Sequence, residues 1–181
     1  MGCRHCSRPV YPEVKRYSMF KVGDTVSYPM HGVGVVESIE KREVRGVEDT
    51  YYVLVFRTDG LKVLIPTGRA DKAGLRHIIS ESEAEEIIDF ITECEVDEPY
   101  ANWNRRYRYN FDRLKENDIK SIAQVVKSLS ARSSEKGLSA GEKNMLTNAR
   151  SFLLDELAAA TSRTEEDMDG ILTDLLEGCG A

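Results

Sequence analysis

The apolar residues of this 181-residue chain change their spacing once, between Pro66 and Ser80, and that change bounds what the chain can fold into. Before it they alternate with polar residues, as in a half-buried strand; after it they recur every three or four positions, as in an amphipathic helix. The expectation is an α+β protein of two domains, a small β-rich module followed by an all-α helical bundle. Its boundaries fall at 1–18 for an unstructured N-terminal extension, 19–67 for the β-module, 68–79 for a connector with at most one helical turn, and 80–178 for the helices.

Within the first module, Lys21-Val-Gly-Asp-Thr-Val-Ser-Tyr28 alternates around a Gly-Asp turn. Pro29-Met-His-Gly32 interrupts it, and alternation resumes over 33–40. Arg45-Gly-Val-Glu-Asp49 supplies a turn, Tyr51-Tyr-Val-Leu-Val-Phe56 a strand, and Thr58-Asp-Gly60 a hairpin signal before the returning strand 61–65, closed by Pro66. Four or five short strands with glycines at the bends imply a small barrel or a strongly curved sheet.

The second half carries two capping boxes, Ser80-Glu-Ser-Glu83 and Ser139-Ala-Gly-Glu142, which open helices expected over 80–98 and 139–160. Between them the pattern predicts helices over 102–115 and 119–132, with Pro99, Gly137 and a cap at Asn117 or Asp118 as punctuation. A last acidic helix is expected over 164–176. Helices this short hold only by packing on one another.

Charge is unevenly laid along these helices. Positions 81–98 hold nine acidic residues and no lysine or arginine, whereas 103–136 hold nine basic and four acidic residues, a local net of +5. From 155 to 177 eight acidic residues face one arginine, a local net of −7. The whole-chain charge of −6 thus conceals a basic island, and it begins at the chain's only tryptophan, in Asn102-Trp103-Asn104-Arg105-Arg106-Tyr107-Arg108-Tyr109. Basic residues interleaved with aromatics are the footprint of a nucleic-acid surface. Trp103 has two readings. It shares a helical face with Tyr107, Phe111 and Leu114, the spacing of core residues; yet it falls in the first turn, where side chains lean back past the helix end. Arg105, Arg106 and Arg108 either meet phosphates or pair with the acidic helix before them.

Enzyme chemistry finds no foothold. Cys3-Arg-His-Cys6 has the spacing of half a zinc knuckle, but a structural zinc needs four ligands and the next cysteine is at position 94. His31 sits in a bend without a second histidine or a cysteine beside it, and Gly32-Val-Gly34 lacks the third glycine and following helix of a dinucleotide fingerprint. No metal, no cofactor and no catalytic residue is expected. The four scattered cysteines, and the absence of a long apolar run or a secretory h-region, point to a soluble cytosolic protein.

Four segments in order, Phe20-Lys-Val-Gly-Asp-Thr-Val-Ser-Tyr-Pro29 with His31-Gly32, Ala73-Gly-Leu-Arg76, Asn102-Trp-Asn-Arg-Arg-Tyr107 and Gly137-Leu-Ser-Ala-Gly-Glu-Lys143, resemble the CarD/CdnL family of bacterial RNA polymerase-binding transcription regulators. The likeness runs from Phe20 to about Leu176. Its first module is also similar to the polymerase-binding domain of the transcription-repair coupling factor. The resemblance implies a Tudor-like (SH3-like) β-barrel that docks on the β1 lobe of the RNA polymerase β subunit by pairing strand edges, a mode carried by backbone hydrogen bonds. Arg42 stands at the position of a family contact arginine, with Val44 beside it. Leu64 departs from members that carry a basic residue there, and so lacks the ion pair such members would offer.

The helical domain would bind promoter DNA without sequence specificity. Trp103 would act as a wedge in the minor groove at the upstream edge of the minus-ten element, and Arg105, Arg106, Arg108 and Lys143 would contact the backbone. The resemblance further implies a place at the nucleoid through polymerase; no coiled-coil heptads argue for a dimer, so a monomer is expected, and no long apolar run calls for a membrane role. The other reading is a protein–protein adaptor of polymerase in which the basic helices meet an acidic partner and Trp103 is core.

Overall fold

The structure, a computed structural model, describes residues 20–44, 46–57 and 60–178. The extension at 1–18 with Cys3 and Cys6, Arg45 of one expected turn, and Thr58 and Asp59 of the expected hairpin lie outside these residues.

Five strands, β1 (Thr25–Tyr28), β2 (Gly32–Val44), β3 (Val47–Phe56), β4 (Lys62–Pro66) and β5 (Arg76–His77), form one antiparallel sheet in the order β4-β3-β2-β1-β5. Among the described residues the hydrogen bonding of this sheet does not close into a ring: β4 and β5 are edges. Curvature comes instead from a bulge between Val36 and Ser38, where β2 carries one residue more than β3. At Gly34 a Cβ would lie 2.9 Å from the Val55 carbonyl oxygen, so only glycine lets the two strands come this close. Phe20, Val26, Val36, Tyr52, Leu54, Phe56, Ile65 and Leu75 fill the concave side.

Both expected capping boxes form, opening α1 (Glu81–Glu93) and α4 (Ala140–Thr161). Asn117 ends α2 (Trp103–Glu116) in the left-handed conformation, and Asp118 caps α3 (Ile119–Glu135). Acidic α5 (Glu165–Gly178) closes the bundle, packing Met168 and Leu172 into a core built on Ile87, Ile91, Val126, Leu129, Leu153 and Leu157.

The stretch read as a connector does more than connect. After a short 3-10 turn at Thr67–Arg69, residues 76 and 77 pair with β1, opposite Ser27 and Val26. From this edge strand Arg76 reaches the helices: its guanidinium grips both carboxylate oxygens of Glu156 on α4, and its Nε donates to the Asn117 carbonyl at 2.7 Å. The Asn117 side chain accepts from the Ser27 hydroxyl and donates to the Gly74 carbonyl. Gly32, at φ +77°, abuts the Phe152 ring of α4 so closely that a Cβ would lie 2.9 Å away. Sheet and bundle are therefore joined by a polar, specifically paired seam.

Candidate nucleic-acid interface

The Asn102 side chain caps α2 by accepting from the backbone N–H groups of Asn104 and Arg105, at 3.0 and 3.3 Å. That cap makes Trp103 the first helical residue, where its side chain leans beyond the helix end. Trp103 is 55% exposed. The apolar face that the sequence assigned to the core is thus only partly inside: Leu114 is buried, while Tyr107 and Phe111 lie half-buried and stacked 6.0 Å apart.

The face of α2 that turns inward is one step round the helix and largely polar, made of Arg106, Asn110 and Leu114. Arg106 is 3% exposed, which corrects its expected contact with DNA. Its Nε donates to Glu142 at 2.6 Å, and its Nη1 donates to the carbonyls of Tyr100 and Ala101 at 3.2 and 3.3 Å. Glu142 in turn accepts from the Ser139 backbone and hydroxyl at the start of α4. Burial alone would raise the Glu142 carboxyl, but these hydrogen bonds and the arginine charge outweigh it and hold it below the usual carboxylate range. One guanidinium therefore ties together the linker before α2, the first turn of α2 and the N-terminus of α4. A phosphate could reach it only by displacing a buried partner.

Arg105, Arg108 and Lys143 are exposed, and among the described residues no acceptor pairs with any of them. Lys143 projects from the first turn of α4, next to Gly141, which packs on Tyr107 of α2. The acidic residues just before α2 are engaged elsewhere. Asp97 accepts from the Tyr109 hydroxyl at 2.6 Å and from Arg113 at 2.9 Å, and Glu98 pairs with Arg132 at 3.0 Å. The hydrogen bond to Asp97 also raises the Tyr109 phenol above its ordinary pKa. Trp103 thus sits at the tip of α2, on a helix that also carries the unpaired Arg105 and Arg108 and is anchored at its base by Arg106.

The residues expected to meet polymerase lie on the sheet. Its register puts Ser38, Glu40, Arg42, Val53 and Leu64 on one face, opposite Ile39, Tyr52, Leu54 and Ile65 of the core side. Arg42 is exposed and leans on Glu40 at 2.6 Å. Leu64, on edge strand β4, is 41% exposed. Val44 pairs with Val47 through its backbone, and its side chain lies outside the described residues. Sequence reasoning missed Arg106, Asn110, Asn117 and Glu156 as buried polar residues; the four-residue step Arg106-Asn110-Leu114 was the signal available for the first two.

Among the described residues no cluster of three His, Cys, Asp or Glu side chains forms that could hold a metal, and no helix is long and apolar enough to cross a membrane. Residues 20–79 match the family model for the CarD-like/TRCF RID domain, and residues 79–173 match that for the CarD C-terminal domain. The chain is similar to a putative transcription factor, YdeB, of Bacillus subtilis (strain 168), with 35% identity over 150 residues that span 83% of this chain and 97% of that protein.

Proposed function

The chain belongs to the CarD/CdnL family of transcription factors, and from that premise we propose that it holds promoter DNA open while tethered to RNA polymerase. The observation that carries this reading is the exposed Trp103 at a capped helix tip, on a helix that also carries Arg105 and Arg108 without protein partners.

An apolar ring at that place is a wedge for the minor groove. Unstacking one base step costs a few kcal/mol, which the wedge offsets where the step is already distorted, as at the upstream edge of the minus-ten element. The protein therefore prefers the melted junction to closed duplex, and only that difference in affinity shifts the equilibrium. Arg105, Arg108 and Lys143 supply sequence-independent phosphate contacts. With Arg106 withdrawn into the fold, three cations give a salt slope of about −2.7.

DNA contact this modest does not find promoters unaided. The β-module supplies the anchor, by pairing the open edge of β4, which carries Leu64, with a strand of the polymerase β1 lobe, while Arg42 and Val44 lie on β2 of the same sheet. Tethering raises the local concentration to roughly millimolar. The test is the lifetime of open complexes formed by cognate polymerase on a ribosomal-type promoter, with and without the protein. A longer lifetime is expected. An unchanged lifetime with polymerase still bound would favour an adaptor that never touches DNA.

A further inference from the structure

On the outer side of α2, whose first residue is Trp103, lies a recess of about 350 Å³ lined by Tyr100, Arg105, Arg108, Tyr109 and Asp112. We propose that this recess seats one unpaired nucleotide of a DNA strand, its base stacked on Tyr100 and its flanking phosphates held by Arg105 and Arg108. The proposal rests on the DNA-binding reading above and names a second contact within it.

The recess is built, not accidental. Arg105, Arg108, Tyr109 and Asp112 fall three and four residues apart on one stripe of α2, away from the buried stripe of Arg106, Asn110 and Leu114. Tyr100 closes it from the linker, its ring edge-on to Tyr109 with centroids 5.6 Å apart. Tyr109 is fixed through its hydroxyl to Asp97, and Arg113 lies over its ring at 5.5 Å. That leaves Tyr100, 37% exposed, as the ring with a surface to offer. Its backbone is held in turn, because Arg106 binds its carbonyl and Ser128 binds the Asp97 N–H at 3.0 Å. A preset aromatic platform binds without first being ordered.

The lining chemistry selects the occupant. Two arginines without protein partners favour a phosphate. A site for free phosphate alone gains nothing from a carboxylate, yet Asp112 is in the wall; a base edge carries N–H donors that a carboxylate can accept. Stacking further requires a base whose face is free, which duplex DNA does not present. An unpaired nucleotide at the end of a duplex meets all three demands, and a wedge at the neighbouring step is a device that supplies one.

The test titrates the full chain at low salt against three labelled oligonucleotides: a blunt duplex, the same duplex with a short single-stranded extension, and that extension made of abasic sites. Wild type is expected to bind the base-carrying extension at least about fivefold more tightly than either other form, as one stacked base implies. Tyr100→Ala should lose this preference and leave blunt-duplex binding unchanged, while Tyr100→Phe keeps it. Equal binding of abasic and base-carrying extensions by wild type overturns the proposal without recourse to any variant, as does a preference that survives Tyr100→Ala in a folded protein. If Lys143→Ala still weakens duplex binding, only the recess has failed; if no oligonucleotide binds wild type, the DNA-binding reading has failed with it.

Discussion

Arg106 and Trp103 stand three positions apart on α2 and have opposite tasks. Removing the indole takes away an exposed group, so Trp103→Ala should change unfolding free energy by no more than about 1 kcal/mol in a urea titration. Removing the guanidinium strands a buried carboxylate, and Arg106→Ala should cost about 3–5 kcal/mol by the same measurement. Arg105→Ala, at an exposed position, should cost almost nothing in stability while reducing the salt slope of DNA binding by about 1. The Glu142 carboxyl adds a pH signature. Its pKa is depressed in the fold, so its contribution is fully present above the unfolded carboxylate value and is lost as pH falls through the folded one. Acid unfolding of Glu142→Gln should accordingly show a shallower dependence on pH than that of wild type. At this scale the sequence is only partly legible. The run of arginines after Trp103 shows that a basic surface exists, but periodicity cannot say which arginine turns inward, because the partner of Arg106 lies 36 residues away.

Elements were legible wherever their signals are local. The two capping boxes, the stop at Gly137 and the switch from period 2 to period 3.6 placed four of the five helices to within a few residues; the first ends at Glu93 rather than running on toward Pro99. Sheet closure is not a local property. Nothing in 61–66 says whether β4 will find a partner on its far side, and among the described residues it finds none. Two-residue β5 escaped notice because a strand that short has no period to read. The open edge is what the proposed anchor uses, so a charge placed there should break docking and nothing else. Leu64→Asp, at an exposed position on β4, should reduce capture of polymerase about tenfold or more and leave DNA affinity unchanged. Loss of DNA affinity in the same variant would show that the two modules are not separate in function.

Across the whole molecule the seam between sheet and bundle sets where the wedge stands relative to the anchor. Arg76, Glu156 and Asn117 carry that seam, and none of them touches the proposed DNA or polymerase surfaces. Arg76→Ala removes the partner of Glu156, a carboxylate 2% exposed, and should shorten open-complex lifetime while each isolated binding step keeps its affinity. A rigid seam delivers the indole to one place on the promoter, and a loose one spreads it over many. The central claim is that a single exposed ring, delivered by a tether, slows the collapse of melted DNA. Its most direct measurement is the dissociation rate of heparin-challenged open complexes with cognate polymerase, comparing wild type with Trp103→Ala at saturating protein. Complexes with wild type should outlive those with the variant severalfold, and the variant should fall back toward polymerase alone while still bound to it. Equal lifetimes for the two proteins, both folded and both bound, would contradict the account.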